Sequence, residues 1–107
     1  MIRHVVMWTF KPMAEGKSKE ENMEIVRDRL YALLDVIPQL KRMEIGFDLL
    51  HTEASMDLML LTEFDSIADM RAYAEHPEHL EVGAYIRSVT ETRIVIDAEI
   101  EEGFKKK

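Results

Sequence analysis

The opening segment is apolar on both of its faces, and this restricts the possible folds more than any other feature of the chain. Residues 2–10 alternate as a strand does, with Ile2, His4, Val6, Trp8 and Phe10 on one side and Arg3, Val5, Met7 and Thr9 on the other. A strand that is greasy on both sides needs cover on both sides. A chain of 107 residues suits one domain, which buries roughly 65% of the surface its unfolded form exposes. Its own helices supply one cover, and the other must come from a partner.

Beyond that strand, Lys11-Pro12 is a stop and residues 13–17 read as a polar loop. Ser18 and Glu21 stand at capping-box spacing. Met23, Val26, Leu30, Leu33, Leu34 and Ile37 then recur at helical intervals up to Pro38, predicting an amphipathic helix of about five turns over residues 18–37. Residues 41–50 alternate Met43, Ile45, Phe47 and Leu49 with Arg42, Glu44, Gly46 and Asp48, a half-exposed strand in which Gly46 suggests a bulge. After a polar turn at 51–55, residues 56–64 are apolar enough for a central strand, paired with its predecessor as a hairpin. Asp65-Ser66 caps a short helix carrying Ile67, Met70, Tyr73 and Ala74; Pro77 breaks it, and a second short helix follows with Leu80, Val82, Tyr85 and Ile86. Residues 90–100 form the last strand, with Ile94, Ile96, Ala98 and Ile100 opposed to Arg93, Val95 and Asp97.

The order is strand, helix, strand, strand, helix pair, strand. This is the split β-α-β pattern, so the expected class is α+β: a ferredoxin-like monomer with a four-stranded antiparallel sheet and helices on one face. Residues 1–100 form the domain and 101–107 a charged tail. The bare sheet face is best covered by a second copy, sheet against sheet, giving a homodimeric α/β barrel. Val5 and Met7 fall in that interface, and Glu44 outside it.

Proton-active side chains concentrate at residues 70–79. Tyr73 and His79 are six residues apart, which on an unbroken helix separates them by about 120°. The break at Pro77 lets them meet. As ordinary structure, Tyr73 is core, His76 covers a helix end and His79 is a surface imidazole. Trp8, Met23, Leu30 and Tyr85 are candidates for an apolar ligand pocket behind the pair, or equally for core. His76 and His79 with Glu75 or Glu78 have metal-ligand chemistry, but Pro77 disrupts the helix that would orient them and no HExxH pattern exists, so no metal and no cofactor are expected.

The net charge of −7 argues against a nucleic-acid partner, which a basic face would accompany. With no cysteine, disulfides and thiolate chemistry are absent. The longest apolar runs fall far short of the ~20 residues that cross a membrane, and residues 1–4 pass straight into a strand without an export signal, so a cytoplasmic location and no membrane partner are expected.

Met1 to Lys11, Ile37-Pro38, Thr62-Glu63-Phe64-Asp65-Ser66, the run from Tyr73 to His79, and Thr92 to Asp97 together resemble the stress-responsive α/β-barrel domain (Dabb) family, over Ile2 to Glu99. The resemblance implies a monomer that dimerises through its sheets. One plant member closes a linear polyketide by aldol condensation, and its tyrosine and two histidines align with Tyr73, His79 and His4. This implies a catalytic trio in which His79 takes a proton alpha to a carbonyl, Tyr73 donates to the enolate oxygen and His4 assists. The barrel also resembles cofactor-free monooxygenases of quinones, and most relatives have no established activity. A binding protein for a small apolar or carbonyl-bearing ligand, a cofactor-free enzyme and a non-enzymatic stress-protective dimer are thus the three roles open to the chain.

Overall fold

The computed structural model describes residues 1–101. In chain order it has β1 (Ile2–Phe10), β2 (Met13–Ala14), β3 (Lys17–Ser18), α1 (Lys19–Ala32), β4 (Arg42–Phe47), β5 (Leu58–Phe64), α2 (Ile67–Glu75), α3 (Pro77–Val89) and β6 (Thr90–Glu99). The main sheet is antiparallel with the order β4-β5-β1-β6, and β2 and β3 form a separate two-stranded ribbon. This is the α+β, ferredoxin-like arrangement read from the element order. Of the tail expected at 101–107, residues 102–107 lie outside the described residues.

The helices begin where short polar side chains can take up free backbone N–H groups. Ser18 Oγ accepts from the Glu21 amide at 3.2 Å while Glu21 Oε1 accepts from the Ser18 amide at 3.3 Å, completing the capping box. Ser66 Oγ caps α2 by accepting from the Asp69 amide at 3.1 Å. α1 stops at Ala32 and tightens into a 3-10 turn, Leu33–Asp35, so the helix is shorter than the apolar spacing to Ile37 predicts. Leu33 and Ile37 are still buried, because the turn keeps them on the core side. α3 runs for 13 residues and is not short. The polar loop expected at 13–17 is the β2–β3 ribbon, turned by Glu15 and Gly16 at φ 52° and 71°. Consecutive positive φ values define the tight hairpin turn that matches strand twist, and glycine adopts them freely.

Register decides which side chain faces the helices. His4 lies opposite Thr62 and Asp97, Val6 opposite Leu60 and Val95, and Trp8 opposite Leu58 and Arg93. These positions form the covered face, where Val6, Trp8, Phe10, Leu58, Leu60 and Phe64 pack with Val26, Leu30 and Ile86 from the helices. The other face carries Val5, Met7, Met59, Leu61, Ile94 and Ile96, with Ile96 60% exposed. A single layer of helices on a single sheet gives a slab 19 Å thick in its shortest dimension.

Two expectations change here. Glu44 pairs with Leu61, which pairs with Val5, so Glu44 lies on the same open face as Val5 and Met7 and not outside it. Gly46 sits in unbroken register with Met59; the irregularity falls instead between Thr9 and Phe10 against β6. β4 also ends at Phe47, leaving Leu49 and Leu50 in a loop at 87% and 80% exposure.

Candidate functional site

The break between α2 and α3 is built by His76 and Pro77. His76 has ψ 133°, an extended conformation forced by the following proline ring, and it serves both as the last cap of α2 and the first cap of α3. Its ring Nδ1 accepts the Glu78 amide at 3.1 Å. In a continuous helix that amide would go to the Ala74 carbonyl. The carbonyl is thereby released, and His79 Nδ1–H donates to it at 3.1 Å. One proline thus frees an acceptor and places the imidazole that uses it.

The consequence is contact between Tyr73 and His79. Their ring centroids are 4.3 Å apart at an interplanar angle of 52°, with Phe64 on the other side of Tyr73 at 5.1 Å. Both border a cavity of about 500 Å³, partly open to solvent, between β1, β5, β6 and the three helices. His4 lines it too, and its Nδ1 is hydrogen-bonded to Asp97 Oδ1 across the β1–β6 pair. Trp8, Leu30, Val6, Leu60, Met70 and Ile86 supply most of the apolar wall.

Of the residues the sequence nominates, Tyr73, His79, His4, Trp8 and Leu30 come together at this cavity, and Met23 and Tyr85 do not. Tyr85 turns toward α1, where its hydroxyl donates to Asn22 Oδ1 at 2.6 Å and the Arg29 guanidinium covers its ring at 4.4 Å. Six residues of helix rotation beyond His79 point it about 120° away from the cavity. Met23 shares Leu30's face of α1 but lies two turns nearer the helix start, about 10 Å along the axis. Sequence reasoning missed Asp97, Arg93, Arg87 and Gly83. Gly83 and Arg87 follow His79 at intervals of four, a spacing visible in the sequence. Asp97 and Arg93 depend on strand register, which the sequence does not state.

Electrostatics separates the roles of the two rings. Tyr73 is 2% exposed and its hydroxyl is a buried polar atom without a hydrogen-bond partner among the described residues. Burial pushes its phenol far above the ordinary range, so it holds its proton. His79 moves the other way. Burial lowers its pKa from 6.5, the Ala74 bond opposes this, and the nearby positive charges of His4, His76 and Arg87 add to the lowering. The imidazole is therefore neutral near pH 7, with Nδ1 protonated toward Ala74 and the Nε2 lone pair available to a ligand. A hydrogen-bond donor without an acceptor thus belongs to the ring packed against an imidazole whose Nε2 carries no proton. Among the described residues no group of three or more His, Asp or Glu side chains is arranged to hold a metal ion, and no helix is long and apolar enough to cross a membrane.

Fold and site define a small ferredoxin-like α+β domain with an apolar, histidine-lined cavity between sheet and helices. The chain belongs to the stress-responsive A/B barrel domain family, whose model matches residues 2–100. Among solved structures it is similar to a dimeric ferredoxin-like protein of unknown function from Thermobifida fusca, at 25% identity over 92% of this chain and 90% of that one, TM-score 0.79. It is also similar to the hydroxynitrile lyase of Passiflora edulis, at 22% identity over 97% and 96%, TM-score 0.80. A Dabb family protein with a ferredoxin-like fold from Mesorhizobium loti matches at 21% identity over 94% and 97%, TM-score 0.69. None of the curated proteins compared with the chain matches it.

Proposed function

We propose that this protein binds a small, largely apolar, carbonyl-bearing ligand in the cavity and moves a proton on it, working as a homodimer joined through the open sheet face. The observation that carries the reading is Tyr73, with a buried and unpartnered hydroxyl, packed ring to ring with the neutral His79 where both residues line a cavity. A carbonyl oxygen is the acceptor the phenol lacks, and an acidic C–H or O–H next to that carbonyl suits the free Nε2 lone pair. Negative charge developing on the oxygen strengthens the Tyr73 hydrogen bond during the reaction, which is how such a donor lowers a barrier. His4, held by Asp97, is a second oriented imidazole that relays or stabilises. The Passiflora edulis relative supports the chemical class, since a hydroxynitrile is a carbonyl compound with cyanide added. The dimer rests on Val5, Met7, Met59, Leu61, Ile94 and Ile96, an apolar surface on a slab that has no second layer, and on dimeric relatives of the same fold.

The test is exchange of the protons alpha to the ketone of 4-phenylbutan-2-one in deuterated buffer, followed by proton NMR. Exchange above the buffer rate, lost in His79→Ala, supports the reading. Exchange at the buffer rate with the wild-type protein present overturns the catalytic part of it.

A second reading has its own observation. Tyr73 packs on Phe64 and is almost fully enclosed, as a core aromatic is. Under that reading the dimer is a binding or stress-protective protein, and the cavity holds a ligand without turning it over.

A further inference from the structure

The cavity is mainly apolar, yet two arginines, both exposed, stand at its border. Arg87 of α3 and Arg93 of β6 both line the wall, and among the described residues the only acidic side chain there is Asp97. Asp97 is already hydrogen-bonded to His4. Positions 93 and 97 are four residues apart on one strand face, about 13 Å along it, so Asp97 stands well away from Arg93. None of the ion pairs among the described residues involves Arg87 or Arg93, whereas Arg3, Arg27 and Arg42 each have a carboxylate. Gly83 belongs to the same wall, and a Cβ at that position would stand 3.4 Å from the Arg87 guanidinium, so the arginine lies back along the helix over the glycine. In a protein of net charge −7, the one cavity that brings Tyr73 and His79 together has more positive than negative side chains.

We infer that the ligand carries a carboxylate in addition to its carbonyl, and that Arg93 and Arg87 are the residues that recognise it. The inference rests on the ligand-binding reading above and narrows it to apolar keto acids. A guanidinium presents two parallel N–H groups that match the two oxygens of a carboxylate, and such charge-assisted bonds are stronger than those between neutral groups. The apolar wall then takes the body of the ligand and the Tyr73–His79 pair takes its ketone. Arg87 has a second effect, since its charge disfavours a proton on His79. A carboxylate that neutralises it makes His79 easier to protonate, so the bound ligand raises the basicity of the group placed to accept its proton.

The experiment is isothermal titration of the wild-type protein with 4-oxo-4-phenylbutanoate and with its neutral isostere 4-oxo-4-phenylbutanamide, beside 4-phenylbutan-2-one. The acid should bind at least tenfold more tightly than the amide, and Arg93→Gln and Arg87→Gln should each remove most of that preference. Equal affinity for acid and amide overturns the carboxylate assignment and leaves the ligand-binding reading standing. Binding of none of the three probes overturns both. Inorganic phosphate competing as well as the acid also overturns the assignment, because the arginines then form a general anion site. If a variant is unstable, Arg→Lys at the same position keeps the charge but not the fork, and a preference retained in full by both lysine variants would refute bidentate recognition.

Discussion

Replacing Tyr73 by phenylalanine should make this protein more stable, which is the opposite of what deletion of a buried hydroxyl usually does. A buried tyrosine whose hydroxyl is hydrogen-bonded loses about 1 kcal/mol when the group is removed. Here the hydroxyl is enclosed and has no partner among the described residues, so there is no bond to lose. What the wild-type protein carries instead is the desolvation of a lone donor, about 1–3 kcal/mol. Tyr73 lines a cavity of about 500 Å³ although its hydroxyl is itself enclosed, so a small shift of the ring lets the group reach water, which favours the low end of that range. The expected gain is about 1 kcal/mol, or about 4 °C in Tm for a chain of this length. Thermal unfolding followed by circular dichroism should be run at one protein concentration, because dimerisation itself shifts Tm. The same variant should lose its exchange activity toward 4-phenylbutan-2-one. Greater stability with lost activity is the signature of a group kept in a costly place for its chemistry. A Tm that falls by several degrees while activity is retained would refute the reasoning, since the hydroxyl would then be part of the scaffold.

Three further outcomes are expected. His79 binds its proton less readily in the folded protein than in the unfolded chain, so between its lowered native pKa and 6.5 the unfolded state holds more protons. Stability from this group is therefore full above about pH 6.5 and lost as the pH falls below it, and His79→Gln should flatten that part of a stability–pH curve measured by urea unfolding. Val5→Asp or Met7→Asp should convert a dimer to monomer in sedimentation velocity, with Asp28→Lys on α1 as the neutral control; a wild-type protein that sediments as a stable monomer at micromolar concentration would sink the interface. Pro77→Ala should allow His76 to become helical, return the Ala74 carbonyl to the Glu78 amide and turn His79 away from Tyr73; losing the Ala74 bond lowers the His79 pKa, but losing its burial, the larger effect, raises it, so NMR titration should show a net move back toward 6.5 while the far-ultraviolet spectrum keeps its shape.

Local features were readable in the sequence to the extent that their causes are local. The Ser18–Glu21 cap, the Pro77 break and the alternation of β1 depend on residues within a few positions of one another, and each emerges as expected. The β2–β3 ribbon escaped because two-residue strands have no periodicity to detect. Glu44 was assigned by polarity to a solvent face, although register makes that face continuous with Val5. At the site, the meeting of Tyr73 and His79 followed from the helix break, while the Asp97 bond to His4 spans the whole chain. Met23 and Tyr85 were chosen for apolar character, a property that core and cavity share.

The two halves of the site therefore differ in how much of the chain must be in place before they exist. Tyr73 and His79 are six residues apart, and a folded helix junction docked on the sheet is enough to bring them together. His4 and Asp97 are 93 residues apart and meet only when the first and last strands are paired. Contacts of such different span form at different stages, the local one cheaply and the distant one after the long loop has closed. A chain that has lost β6, by truncation or by fraying of that edge strand, would keep the phenol and its base yet be stripped of both Asp97 and Arg93. The first and last strands thus act as a check on the cavity, whose second imidazole is aligned only in a molecule whose ends have come together.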